Sequence, residues 1–394
     1  MPMKNTHGII IPVLLLIVIG IIMVYSSTAL MSLERYGHGF HYLMRHLFAI
    51  IIGLGAMLLL MRMDYNKLRV FIIPLLVLSG VLLILVFIPN IGVSAGSGSN
   101  VKRWLRLWPS TFQPSELLKI AIVLFLAHYI DRNAWRMKDL RYGIIIPLCV
   151  LLPFQMLILL QPDFGAVITL GILTVILLFL GGVRWTYLAG LALLSLPLIY
   201  KLILSTPYRR DRLLSFLDPW QDPLDKGFQL VQSFLAFGRG GLTGVGIGDG
   251  RQKLFFLPEL HTDFIFSQIG EELGLIGASI VLGLFIWLFI KGVNIAMQTE
   301  DSFSYYLAMG LTIMIASQAV MNFSVCLGLM PPKGLPLPFI SYGGSAILIN
   351  MVAVGVLMSI QRITSSKPIA MRNIPWGGRP PIRGRHYKWM VRQK

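Results

Sequence analysis

The chain has 394 residues, of which 56% are hydrophobic and only 13% charged, with a mean hydropathy of +0.74. That balance excludes a soluble enzyme built around one buried core and matches a polytopic membrane protein. The formal net charge of +17 is read as basic loops facing anionic lipid and the cell interior, so no nucleic-acid partner is expected.

With roughly 17–25 apolar residues per span, the chain predicts an all-α fold of ten transmembrane helices. They cover about Gly8–Val24, Leu43–Leu60, Val70–Ile88, Leu117–Ile130, Gly143–Leu160, Phe164–Gly182, Trp185–Leu204, Phe264–Ile290, Tyr305–Gly328 and Ala346–Ile360. No small-residue cleavage site follows the first run, which is long enough to span, so no cleavable signal peptide is expected. Cys149 and Cys326 both lie in apolar runs and give neither a disulfide framework nor a metal pattern. Lys and Arg in the short loops place both termini in the cytoplasm, in agreement with an even number of spans. The segment 205–262 between the seventh and eighth spans is then a large extracytoplasmic loop. Residues 1–363 form the membrane domain, and 364–394 a basic, disordered cytoplasmic tail rich in Arg, Pro and Gly.

Chemically unusual residues gather at the outer face. Before the fourth span stands Gln113-Pro114-Ser115-Glu116, and before the sixth Gln161-Pro162-Asp163. Proline near a helix start and an acid in the first turn account for this echo without duplication. Glu116 and Lys119 are spaced i,i+3 and can pair on one helix face. With Arg45 and Asp163 they hold the bundle together, line a polar cavity open to the outer leaflet, or do both.

Tyr208-Arg209-Arg210-Asp211-Arg212 places three cations just outside a span, as a solvated face or as a diphosphate site. The run GRGGLTGVGIGDG, Gly238 to Gly250, has neither a G-x-G-x-x-G nor a Walker register and reads as a flexible or tightly turning loop. Asp263 falls where the polar approach PELHTD meets the eighth apolar run. There it serves as an ordinary helix-start acid or as a hydrated catalytic carboxylate. Glu259, His261 and Asp263 alternate as three metal-ligand types would in extended chain. Glu271 and Glu272 lie within the apolar run itself, where acids are functional suspects. Finally, PPKGLPLPFISYGGSA, Pro331 to Ala346, breaks the helical pattern; such backbone at membrane depth must be buried or line a cavity, with Lys333 facing it.

These motifs resemble the SEDS family (shape, elongation, division and sporulation), which polymerises peptidoglycan glycan strands. The resemblance runs from about Gly8 to Arg362 through KRWLRL…FQPSELLK, QPDFGA, SFLDPWQDP…GFQLVQSFLAFGRGGLTGVGIG, LPELHTDFIFSQIGEELG and PFISYGGSA. The SFLDPW segment and the QSFLAFGRGGL spacing are closer to the division members than to the elongation members, with the sporulation members near them. By resemblance Asp263 occupies the family's essential acidic position, and Glu116, Lys119 and Asp163 match its polar intramembrane cluster. Arg103, Trp104, Gln113, Lys333 and Ser341 match further motif positions. Thr111 departs where some division members carry a cation, and Pro332 replaces a more usual threonine.

The resemblance implies an inverting glycosyltransferase acting on lipid II, the undecaprenyl-diphosphate-linked disaccharide-pentapeptide. Asp263 would be the base, and Arg209, Arg210, Arg212 and Lys333 would meet the diphosphate, with or without a divalent cation (Mg or Mn). It also implies a single-span class B penicillin-binding protein, a transpeptidase, as partner, together with other division proteins, at the septum of the bacterial inner membrane. The alternative from another class is a lipid II flippase, which also needs intramembrane charge and broken helices, but on both faces. A pure scaffold for division partners would leave the buried charges unexplained.

Overall fold

The computed structural model describes residues 7–94, 102–107, 110–204, 207–253, 257 and 260–365, with backbone alone at 7, 107, 110, 198, 199, 202–204 and 207–209. Twelve α-helices occur among them: α1 His7–Tyr36, α2 His41–Arg62, α3 Ile72–Leu85, α4 Pro114–Asn133, α5 Ile146–Leu160, α6 Phe164–Leu180, α7 Trp185–Leu204, α8 Pro207–Leu217, α9 Phe228–Gly240, α10 Ile265–Met297, α11 Ser302–Cys326 and α12 Gly344–Ser365. A short 3₁₀ turn, Tyr65–Phe71, leads into α3, and a π turn, Arg141–Ile145, into α5.

Every segment expected to span is helical. Seven helices among the described residues are long and apolar enough to cross a membrane: α1, α2, α3 with its 3₁₀ turn, α5 with its π turn, α10, α11 and α12. The other three that make up the expected ten are α4, α6 and α7. At 17 residues α6 reaches only about 26 Å, and α4 carries Glu116, Lys119, Asp131 and Arg132. Outer helices expose large apolar side chains such as Ile51, Leu59, Ile73 and Leu194, as lipid-facing surfaces do. By contrast α4 buries Leu118, Ile122, Leu126 and Ile130 against its neighbours. The least apolar of the ten is thus among the most enclosed. Shelter from hydrocarbon is what lets it carry ions.

Three features depart from the expectation. A three-stranded antiparallel sheet, β1 Gly92–Ser94, β2 Lys102–Leu107 and β3 Ser110–Phe112, precedes α4, with Val93 opposite Trp104 and Leu105 opposite Phe112. The segment expected as one long loop, 205–262, contains α8 and α9. Within α10 the helix is broken at Gly274 (φ 67°, ψ −166°) although the apolar run is continuous. The tail from 366 onward lies outside the described residues, and α12 continues through Ser365.

At the end opposite Asp263, Arg69 bonds Asp131 and Asp301, both at 3.1 Å, and stacks over Phe303. This triad staples the turn before α3 to the last turn of α4 and the start of α11.

Candidate active site

Asp263 precedes Phe264, the N-cap of α10. Its side chain is half-buried, while the helix behind it, from Phe264 to Glu272, is buried throughout. The backbone there is fixed from three directions. Asn322 of α11 donates its side-chain amide to the Asp263 carbonyl (2.7 Å) and to the Leu335 carbonyl (2.8 Å). Ser341 donates its hydroxyl to the Thr262 carbonyl and accepts from the Leu337 N–H. Tyr342 donates its N–H to the His261 carbonyl at 2.9 Å. Residues 261–263 are therefore laced to the broken segment Pro331–Ala346. A Cβ on Gly334 (φ 70°) would stand 3.3 Å from the Asp263 Oδ2, so the carboxylate faces that segment.

The same segment gathers most of the other expected residues. Arg212 of α8 donates to the Pro332 carbonyl at 3.2 Å, beside Lys333. The Lys333 carbonyl lies so close to Gly165 of α6 that a Cβ there would stand 2.9 Å away. Just before α6, Asp163 caps the helix through the Ala166 N–H (3.1 Å) and accepts the Gln113 side-chain amide (3.0 Å). Arg103 of β2 donates to the carbonyls of Gln161 and Pro162. Ser345 accepts from the Gln113 N–H and donates to the Thr111 carbonyl. Tyr342 is hydrogen-bonded by Arg45 and packs edge-on to Tyr42, which ties the start of α2 to the same place.

Others stand apart. Glu116 and Lys119 form a pair of 2.7 Å on α4, and both residues are buried, at 3% and 1% exposure. Alternation along β2 turns Trp104 to the ribbon face opposite Arg103. Arg210 is exposed on α8, and the side chain of Arg209 lies outside the described residues. Glu259 also lies outside them. Among the described residues no three of His, Cys, Asp and Glu come together as a metal cage; the Glu259–His261–Asp263 alternation includes Glu259 and so falls outside them.

Burial lowers the pKa of Lys333 from the ordinary lysine value; this lysine lies in the segment between α11 and α12, outside the spanning helices. Desolvation disfavours the charged form, so Lys333 is cationic only below that depressed pKa. If it meets a phosphate, activity falls as pH rises, at a pH lower than for a free lysine. A pH–rate profile of Lys333→Met should lack that alkaline limb.

Asn322, which clamps the Asp263 and Leu335 carbonyls, is a residue to which sequence patterning gives no role. A single amide in an apolar helix is the signal, because a buried amide needs partners.

A bundle of long apolar helices, with a half-exposed carboxylate held at a helix entrance against a broken segment, defines a polytopic membrane protein with a polar site at one end. A sequence model of the FtsW/RodA/SpoVE cell cycle proteins matches residues 6–366. The chain is 43% identical over 350 residues, 89% of its length and 93% of the relative's, to a "probable peptidoglycan glycosyltransferase FtsW" of Geobacter sulfurreducens. It is 39% identical to the "stage V sporulation protein E" of Bacillus subtilis, covering 90% of this chain and 96% of that one. Among solved structures, a chain from work titled "Structural coordination of polymerization and crosslinking by a peptidoglycan synthase complex" superposes with a TM-score of 0.73 at 28% identity, covering 92% of this chain and 98% of that one. The chain belongs to the FtsW/RodA/SpoVE family of cell cycle proteins.

Proposed function

We propose that this membrane protein is a peptidoglycan glycosyltransferase that polymerises lipid II, with the Asp263 end of the bundle facing outward and both termini in the cytoplasm. The observation that carries the reading is the placement of Asp263. Its carboxylate is half-exposed at a helix entrance, its backbone is clamped by Asn322, Ser341 and Tyr342, and the segment it faces carries Lys333 and is bonded by Arg212 of α8.

In the proposed reaction the 4-hydroxyl of the acceptor's GlcNAc attacks the anomeric carbon of the donor's MurNAc. The new glycosidic C–O bond forms as the bond to the lipid diphosphate breaks, with inversion. The hydroxyl proton goes to Asp263, and undecaprenyl diphosphate leaves carrying the electron pair. Asp263 raises the nucleophilicity of the hydroxyl, while Arg212 and Lys333, with Arg209 and Arg210 nearby in α8, offset the charge on the departing phosphate. Asp163, Gln113 and Arg103 hold the mouth of α6 where sugar or peptide would rest, with Ser341 holding the Asp263 turn; the buried Glu116–Lys119 pair supports α4 behind them. A Mg or Mn ion bound with the diphosphate would supply further charge compensation; the described residues form no cage for it.

Membership of a cell cycle family and a relative named for sporulation support a role in septal wall synthesis with other division proteins, and the likeness to a chain of a peptidoglycan synthase complex supports a class B penicillin-binding protein as partner. The flippase alternative is less well supported. The relatives' names speak for transfer, and the ions at the opposite end, Asp131 and Asp301 on Arg69, are closed into a staple rather than arranged as a second site.

The test is purified protein in vesicles with its transpeptidase and lipid II. Glycan strands resolved as a ladder are the expected product. Scrambling of a fluorescent lipid II without strands would reverse the assignment.

A further inference from the structure

Glu271 and Glu272, at 0% and 1% exposure, take no part in the chemistry above. They sit at the break in α10. An unbroken helix would bond the N–H groups of Leu275 and Ile276 to the carbonyls of Glu271 and Glu272. Instead Leu275 and Ile276 donate to the carbonyls of Gly241 and Leu242 (2.9 and 3.1 Å), and the carbonyls of Glu271 and Glu272 accept from Val245 and Gly246 (3.0 and 3.1 Å). The glycine-rich loop after α9 thus replaces the ladder lost at Gly274. It comes so close that a Cβ on Gly244 would lie 2.2 Å from the Glu272 carbonyl oxygen.

The two carboxylates extend the clamp in different ways. Glu271 accepts from two main-chain groups, Arg251 N–H on Oε1 (2.9 Å) and Gln252 N–H on Oε2 (3.2 Å), with Arg239 at 3.6 Å. Glu272 accepts from the Ser26 hydroxyl (2.7 Å), the Gln268 side-chain amide (3.2 Å) and the Gly248 N–H (3.2 Å), with Lys253 at 3.6 Å. Two negative charges meet two positive ones, as buried ions require.

At the break the loop therefore takes the place of two ladder bonds in joining the segment 265–273 to the rest of α10, and Asp263 sits at the tip of that segment. We propose that Glu271 is a positioning residue for Asp263, holding the loop that sets where this half-helix, and with it the carboxylate, stands. The proposal rests on Asp263 being the base. It carries a specific asymmetry. Both oxygens of Glu271 face N–H groups that cannot reverse, so glutamine can satisfy only one of them. Glutamine at 272 can keep its oxygen on the Gly248 N–H. Its amide nitrogen would then face the Ser26 hydroxyl, which can accept, and, once the Gln268 amide turns over, the Gln268 Oε1, which has no hydrogen-bond partner among the described residues.

The experiment compares Glu271→Gln with Glu272→Gln in the full chain with its partner. For Glu271→Gln we expect kcat per folded protein to fall roughly ten-fold or more, as misplaced catalytic groups do. The KM for lipid II should stay within about two-fold, since no substrate contact is removed. Glu272→Gln leaves Lys253 without its anion and should melt lower, but should keep kcat per folded protein within about three-fold of the parent. Size-exclusion and thermal melting set the folded fraction, so a purely structural role, which yields less folded protein of normal kcat, contradicts the proposal. Hydrogen exchange at the amides of 245, 246, 275 and 276 should quicken in Glu271→Gln and not in Glu272→Gln. This arm needs no turnover, so it tests the clamp even if lipid II proves not to be the substrate. Equal behaviour of the two variants, or a raised KM with kcat kept, would overturn the proposal.

Discussion

Replacing Asp263 with Asn is expected to lower the rate of strand formation by about a hundred- to ten-thousand-fold, the range for loss of a general base. The fold should survive, because three hydrogen bonds to the carbonyls of this turn, from Asn322, Ser341 and Tyr342, hold it and are untouched by the change. Lipid II binding should likewise change little, since the amide keeps the size of the acid. Asp263→Glu moves the carboxylate by about one methylene and should recover only part of the rate, because proton transfer demands hydrogen-bond distance to the attacking hydroxyl. Strand assays on equal amounts of folded protein check all three points. A normal rate in Asp263→Asn would remove the base.

The second large effect is on stability. Lys119→Met should destabilise the bundle by about 3–5 kcal/mol, the cost of leaving a buried charge without its partner. The Glu116 Oε1 takes the Lys119 ammonium at 2.7 Å, and its Oε2 is already buried without a hydrogen bond among the described residues. Glu116→Gln in the same chain removes the stranded charge, so the double variant should recover much of the loss. Thermal melts of the two single variants and the double variant measure the coupling. Equal melts in all three would show that the pair does not hold α4 in place. Activity separates the remaining roles. If the recovered double variant polymerises normally, the pair is structural glue; if it is stable and inactive, the pair lines the polar cavity.

How far these features can be read from the chain depends on how local their cause is. Asp263 is legible because an acid at the edge of an apolar run marks both a helix start and a hydrated surface. Glu116 and Lys119 are legible because i,i+3 spacing is enough to make them neighbours. The helical character of the spans follows from hydropathy alone. The break at Gly274 does not, since the apolar run passes through it unchanged. Its cause is the loop 241–246, some thirty residues earlier in the chain, which supplies the missing bonds. The same loop explains the glycine-rich run, which looks like a nucleotide motif without its register: its glycines allow close approach to α10. The sheet was hidden for a different reason. β1 and β3 have three residues each, too few for a period-two pattern to register. Within 205–262, α8 and α9 were masked by a loop reading based on length, although FQLVQSFLAF has helical spacing of its apolar residues.

The account rests on a carboxylate that works on the outer side of the membrane and breaks a bond there. Lipid II confined to the leaflet on the Asp263 side of sealed, oriented vesicles tests this most directly, with released undecaprenyl diphosphate and glycan product measured together. The account predicts one lipid diphosphate released for each new glycosidic bond, with lipid II remaining on that side. Lipid II appearing in the opposite leaflet, with no diphosphate released, would contradict it.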